Sequence, residues 1–259
     1  MAVTRRLICA ALAGTALWAS CAVSASAAPG RVPGIDISRF QGQIIWSSVA
    51  DDGVRFAFVQ ASRGSGEDCS VVPRECGADG FYDFNYLEAK AEGVRVGPYH
   101  RAFVGGLKAG QVKTDARAEA LVFTNAVGEL EDGDLRPALD LETPFADLSS
   151  AELRIWARTW LKAVRRELGV KPIIYTNVSS WNALGNPLSF ARAGYKLWVA
   201  NWNVRAPQVP AANWAGFSWR VWQYSSSGRV PGITGRVDLN WLRGGWRGLT
   251  VGPQGPTPN

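Results

Sequence analysis

The chain of 259 residues is 47% hydrophobic and 19% charged, with 28 Gly, 14 Pro and 12 Trp. That length and balance suit one large or two small globular domains with a sizeable core. A formal charge of +6 is too mild for the dense basic stripe of a nucleic-acid binder, but it would help docking on an anionic polymer such as a cell wall.

The first residues, "MAVTRRLICAALAGTALWASCAVSASAAPG", place Arg5 and Arg6 before an apolar stretch and a small-residue "ASA" ending at Ala27. This pattern predicts a signal peptide over 1–27 and an exported chain, extracellular or associated with a cell wall. Gly14, Thr15, Ser20 and Cys21 interrupt the apolar stretch, which argues against a permanent membrane span. Trp18 argues against lipid attachment at Cys21. No later segment has the roughly 18–20 apolar residues a bilayer requires, so stable membrane association is not expected. Removal of the leader would leave 26 of the 28 basic residues against 22 acidic ones.

Eight β-like runs follow: 34–38, 55–62, 95–102, 136–142, 172–177, 196–202, 219–225 and 237–242. The first five are separated by segments long enough for a helix. Between the second and third, "EDCSVVPRECGADG" holds Cys69 and Cys76. In an exported chain this even, closely spaced pair reads as a disulfide, adding about 2.5 kcal/mol in the chain-entropy picture. Metal binding would need further ligands, and the chain has one histidine, His100. Its place inside an alternating strand reads as a satisfied core residue. Neither a metal nor a cofactor is expected, since no metal-ligand cluster, phosphate-binding Gly-rich loop or Ser-His-Asp order is present.

The clearest helix is "SSAELRIWARTWLKAVRRELG". Ser149 and Glu152 make a capping box and Gly169 supplies the stop. Leu153, Trp156, Trp160, Leu161, Val164 and Leu168 line one face, with Arg154, Arg158, Lys162 and Arg165 largely opposite. Alternating strands and helices argue for a parallel α/β sheet, and eight strands for its closure into a barrel. The gaps 203–218 and 226–236 are short and rich in Pro, Gly, Ser and Trp. The expected fold is therefore an irregular TIM-like barrel: five βα units, then three strands lacking regular helices. It forms a single domain over 28–250, followed by a disordered tail over 251–259.

Within "RPALDLETP", Asp140 and Glu142 project to one side of the fourth strand, about 6.6 Å apart at the backbone. They end that strand at the rim where barrels carry their sites. Closure also makes neighbours of Asp36 in "GIDIS" and Asp238 in "RVDLNW". An acid at a strand end commonly serves as a cap or a solvated rim residue. Convergence of all of them on one mouth suits glycoside hydrolysis. Crowding keeps one carboxylic acid protonated for a leaving oxygen, while another stays ionised as nucleophile, electrostatic stabiliser or orienter of a substrate acetamide.

"GIDISRFQG", "PYHRA", "ALDLE", "IYTN", "LWVANW" and "WQYSSSGRVPGITGRVDLNW" together resemble glycoside hydrolase family 25, the Chalaropsis-type lysozymes, over about residues 33–246. The resemblance implies a barrel of five βα units plus three strands. It also implies an N-acetylmuramidase that cuts the β-1,4 bond between N-acetylmuramic acid and N-acetylglucosamine in peptidoglycan. It places the general acid/base on Glu142, an orienting role on Asp140, and Asp36 and Asp238 in the surrounding charge network. It further suggests sugar contacts from Tyr99, Tyr175, Trp202 and Trp222 near strand ends, with Gln223 beside them. Core packing is the other reading of those rings. Whether a carboxylate or the substrate's N-acetyl group attacks stays open, with the Asp-x-Glu spacing favouring the latter.

One stretch departs from the family pattern. Where Lys-x-Ser/Thr-Glu-Gly is common after the second strand, this chain has Gln60 and Arg63 in "QASRG", while Asn85 matches an expected polar position. That departure leaves room for a catalytically inactive glycan-binding barrel. The Asp-x-Glu pair also admits a chitinase-like enzyme, although the longer acidic series expected there is missing. A monomer acting on bacterial peptidoglycan is the leading expectation.

Overall fold

The computed structural model describes residues 30–65, 76–104, 107, 109–145 and 147–252. The expected signal segment, Cys69 of the expected Cys69–Cys76 bond, and residues 253–259 lie outside the described residues.

The strands are β1 (Arg31–Ile37), β2 (Phe56–Arg63), β3 (Gly77–Ala78), β4 (Arg95–Arg101), β5 (Ala138–Asp140), β6 (Ile173–Asn177), β7 (Leu197–Ala200), β8 (Val221–Gly228) and β9 (Val237–Arg243). They pair in the order β1-β9-β8-β7-β6-β5-β4-β2-β3, and an additional β1–β2 pairing closes eight of them into a barrel. The ninth, β3, is a two-residue antiparallel addition to β2. Helices α1 (Trp46–Asp51), α2 (Tyr82–Ala91), α3 (Val112–Val127) and α4 (Ser150–Leu168) follow the first four barrel strands, and α5 (Val178–Ala183) with α6 (Ser189–Arg192) follows β6. After β7 there is only a turn, α7 (Pro210–Ala215), whose Ala211–Trp214 backbone winds left-handed at φ of about +50°. No helix among the described residues is long and apolar enough to cross a membrane.

The sheet departs from an all-parallel barrel at its last strand. β9 runs antiparallel to both β8 and β1. Arg229–Arg236 is too short for a crossover helix, so the chain returns as a hairpin. The reversal brings the N-terminal end of β9, with Asp238, to the rim where the parallel strands end.

Two apolar layers hold the barrel. Inside are Phe56, Phe58, Tyr99, Ile173, Tyr175, Trp198 and Val221, floored by Leu135 and Leu249. Phe58 stacks on Trp198 at 4.4 Å between centroids. Gly34 makes room for this filling, because a Cβ there would lie 2.3 Å from the Phe56 ring. Outside, the helices pack on the opposite faces of the strands through Phe123, Trp156, Trp160 and Trp181. α4 follows the amphipathic reading: Ser149 and Glu152 complete the capping box and Gly169 ends the helix at φ +67°. Leu168, the last residue of the helix, is only partly buried.

Candidate active site

Residues of β1, β2, β4, β5, β6, β7 and β8, with the start of β9, surround a cleft of about 180 Å³. Asp36, Asp140, Glu142 and Asp238 all line it, together with Tyr99, Tyr175 and Gln223. Asp36 and Asp238 are direct register partners across β1 and β9.

β5 is shorter than the sequence suggests and stops at Asp140, so Glu142 lies just beyond the strand. Pro137, which has no N–H to give, precedes the ladder. The extended path continues through Leu141, whose N–H reaches the Tyr175 carbonyl at 3.0 Å. Past that point a side chain takes over from the sheet. Arg101 donates to the carbonyls of Glu142 (3.2 Å) and Thr143 (3.3 Å). The same guanidinium pairs with both carboxylates, Nε to Asp140 Oδ2 at 3.5 Å and Nη2 to Glu142 Oε1 at 3.4 Å. Glu142 keeps 27% of its side chain exposed, against 11% for Asp140. Asp140 Oδ1 is buried and accepts no hydrogen bond.

Gln223 organises the other half of the cleft. Its Nε2 donates to Asp36 at 2.9 Å and to Asp238 at 3.3 Å. Its Oε1 accepts from Tyr175 Oη at 3.0 Å and Trp202 Nε1 at 2.9 Å. Asn240 also donates to Asp36, at 2.6 Å, while accepting from Trp198 Nε1. Burial, helped by Asp238 and Asp140, pushes Asp36 well above the usual carboxylate range. Burial likewise raises Asp140 well above that range, outweighing the pull of Arg101, with Glu142 adding to the rise. Asp238 is raised to about 6, chiefly by burial. The cluster therefore holds protons at a pH where isolated aspartates are ionised.

Two of the expected sugar-contacting tryptophans do not line the cleft. Trp222 is turned outward and buried, its Nε1 donating to the Asn201 carbonyl. The reason is the period of two: its neighbour Gln223 points inward. Trp202 is 44% exposed and reaches the cleft only through Gln223.

Other cleft residues escaped the sequence reading: Arg101, Ser38, Phe40 and Trp198. Gln60 and Arg63, read there as departures, also line it. Between Gln60 and Ser62 the β2–β4 register shifts, so that Arg63 aligns with Arg101. This bulge re-aims Arg63 toward the mouth, where strict alternation would have sent Ser62. Gln60 is held between Asp79, to which it donates, and the Tyr99 hydroxyl, from which it accepts. Asn85 braces the first loop instead, accepting from Trp46 Nε1 and donating to the Gly42 carbonyl.

His100 is fully buried between Ser62 Oγ (2.8 Å) and Glu119 Oε2 (2.6 Å), and it stacks on Trp160. Burial, then the nearby Arg101, lowers its pKa to about 3. The trio has the connectivity of a hydrolytic relay, yet Ser62, His100 and Glu119 all have 0% exposure, so no substrate reaches it. Among the described residues no group of His, Cys, Asp and Glu is arranged to hold a metal ion.

The profile of Glycosyl hydrolases family 25 matches residues 35–233. Lysozyme M1 of Streptomyces globisporus is 33% identical over 220 residues, covering 82% of this chain and 68% of that protein. The N,O-diacetylmuramidase of Chalaropsis sp is 26% identical, covering 80% of this chain and 96% of the other. The crystal structure of the bacterial lysozyme from Streptomyces coelicolor superposes with a TM-score of 0.71 at 32% identity, over 84% of this chain and 94% of that one. The match spans the strands that carry Asp36, Asp140 and Gln223 and the loop that carries Glu142, and the chain belongs to glycosyl hydrolases family 25, a glycoside hydrolase.

Proposed function

We propose that the protein is a secreted muramidase that hydrolyses the β-1,4 bond between N-acetylmuramic acid and N-acetylglucosamine in peptidoglycan, using Glu142 as general acid and base. The observation that carries this reading is the Asp140–Arg101–Glu142 arrangement. One guanidinium holds the two carboxylates at one mouth, and Asp140 keeps a buried oxygen without a partner.

That oxygen suits a substrate acetamide N–H, whose hydrogen bond would satisfy a buried acceptor. The acetamide oxygen then attacks the anomeric carbon as Glu142 gives its proton to the departing glycosidic oxygen. The acetamide nitrogen becomes positive in this step. Asp140, ionised in the reacting form where it pairs with Arg101, is placed to accept its proton. A water deprotonated by Glu142 then opens the cyclic intermediate as Asp140 returns its proton to the nitrogen, which regenerates the N-acetyl sugar with retained configuration. Tyr99 and Tyr175 remain neutral, since burial raises both hydroxyls. Phe40, 72% exposed at the lip, offers a flat ring to a sugar face.

Glu142→Gln preserves shape and removes the proton, so activity falls about 10²-fold or more. The assay is digestion of purified peptidoglycan, borohydride reduction of the new ends and identification of the reduced sugar. Reduced muramic acid with wild type and almost none with the variant supports the proposal. Reduced glucosamine would make the enzyme a glucosaminidase, and no new ends at all would leave a glycan-binding barrel. Release of soluble oligomers from chitin would favour the chitinase-like reading.

A further inference from the structure

The barrel end opposite the mouth has its own chemistry. Arg136, Lys171, Lys196 and Arg220 stand one or two residues before β5, β6, β7 and β8, so four adjacent strands begin with a cation. The pattern continues around the barrel with Arg31, Arg55 and Arg95 at the starts of β1, β2 and β4. Arg243, at the end of the reversed β9, completes it.

Between β5 and β7 this rim opens into a recess of about 580 Å³, lined by Arg136, Arg165, Lys171 and Lys196 among glycines and small residues, with no acidic residue in its wall. Asp132, against Gly252, marks one edge. A second recess of about 440 Å³ shares Arg165 and Lys171 and adds Lys162 and Arg166, extending the groove along the last turns of α4.

Local needs do not account for these charges. Arg165 and Arg166 complement the end of a helix dipole, but the strand cations have no such role. Arg136 donates to the Lys171 carbonyl, Lys171 to the Ala193 carbonyl, and Arg220 to the Gly245 and Arg247 carbonyls. Backbone bonds thus hold the strand cations together and no ion pair among the described residues neutralises them, whereas Arg166 on α4 pairs with Glu167 at 2.6 Å. Burial, and then the neighbouring Arg220, Arg136 and Lys171, lower the pKa of Lys196. The Nε atoms of Arg136 and Arg220 are buried without a partner.

We infer that this groove is a second binding surface, for a phosphodiester-linked polyol chain of the kind carried by bacterial walls. Closely set cations in a recess without acids match successive phosphates on a flexible polymer. A nucleic acid would ask for exposed rings to stack bases. The aromatic faces near this rim are instead capped by cations, Trp246 by Arg95 and Trp219 by Arg243. A membrane would ask for a cluster of exposed apolar side chains, whereas the large exposed hydrophobic residue nearest these strand starts is a single ring, Phe217, three residues before Arg220. The choice of partner rests on the peptidoglycan reading above. Because mouth and groove occupy opposite ends, a wall that bears both polymers engages both at once.

The test measures binding of the full secreted chain to synthetic poly(glycerol phosphate), with single-stranded DNA of equal phosphate number and phosphatidylglycerol vesicles as competitors. Wild type should bind the polyol phosphate with a log–log salt slope of about −2 to −3, as three or four phosphate contacts require. Arg165→Gln/Lys196→Gln should weaken binding about 10-fold or more, and Lys196→Gln alone by less. The charge-matched pair Lys113→Gln/Arg117→Gln on α3 should leave it unchanged. Hydrolysis of polymer-free peptidoglycan should be unaffected by any of these, which keeps failure of this inference separate from failure of the muramidase reading. Absent binding, equal loss in both double variants, or tighter binding to DNA or vesicles would overturn it.

Discussion

Asp36 on β1 and Asp238 on β9 face each other in direct register, and a single amide, Gln223 Nε2, donates to both. Burial makes this juxtaposition costly. A carboxyl raised to about 6, as Asp238 is, binds more protons folded than unfolded between the ordinary aspartate pKa and 6. Its stabilisation is therefore present at low pH and lost as pH rises through that window. Asp238→Asn removes the titration. The variant should be more stable than wild type at pH 7, by up to about 3 kcal/mol, and show little gain at pH 4. Thermal melts at the two pH values, with activity measured alongside, provide the check. A gain equal at both would mean the charge is not its source.

Arg101 should matter to the chemistry and to local order alike. Arg101→Met removes the partner of two carboxylates and the donor to two carbonyls beyond β5. Turnover should fall about 10²-fold, and Arg101→Lys should recover only part of it, because an ammonium cannot reproduce the fork. Steady-state kinetics on soluble muroglycan, with a thermal melt to confirm folding, would decide this. Full activity in Arg101→Lys would reduce the residue to a point charge.

Asp140→Asn should leave substrate binding largely intact while depressing kcat strongly, since its proposed work is on charge that develops in the transition state. A thiazoline analogue of the cyclised acetamide should inhibit wild type and bind the variant more weakly. Trapping of a stable carboxylate ester by a fluorinated sugar would instead identify a covalent nucleophile.

Phe40→Ala should raise KM several-fold with kcat little changed, because an exposed ring at the lip contributes uniform binding. Trp222→Phe should leave KM unchanged and lower stability, since that ring is buried outside the barrel wall. The opposite pattern would exchange their roles.

Intact-mass measurement after thiol alkylation tests the export reading. The secreted protein should begin near Ala28 and carry a Cys69–Cys76 bond, so unreduced material takes up no alkylating agent. Two alkylated cysteines would exclude the bond.

The strands, the α4 helix and the four converging acids were legible because each depends on local periodicity or on a fixed chain order. What was hidden depends on pairing between distant segments. Nothing near Gln60 signals that a bulge turns Arg63 inward, because a bulge is defined only against its partner β4. Arg101 reads as one more alternating strand residue until β5 is seen to end three residues after Pro137 and to need a side chain to hold Glu142. Trp222 was misplaced by counting nearness to a strand end, when the parity of Gln223 decides which face it takes.

The reversal of β9 has an engineering consequence. Because β1 begins and β9 ends on the same rim, with Arg31 and Arg243 in register, both ends of the folded barrel emerge on the side away from the cleft. Modules grafted before β1 or after Val251, which is still tied to Asp134 by its backbone, would trail behind the enzyme as it faces a glycan strand. The fold thus accepts a tether, tag or targeting domain before β1 without placing it across the glycan's path, whereas one after Val251 would lie against the basic groove that this residue lines.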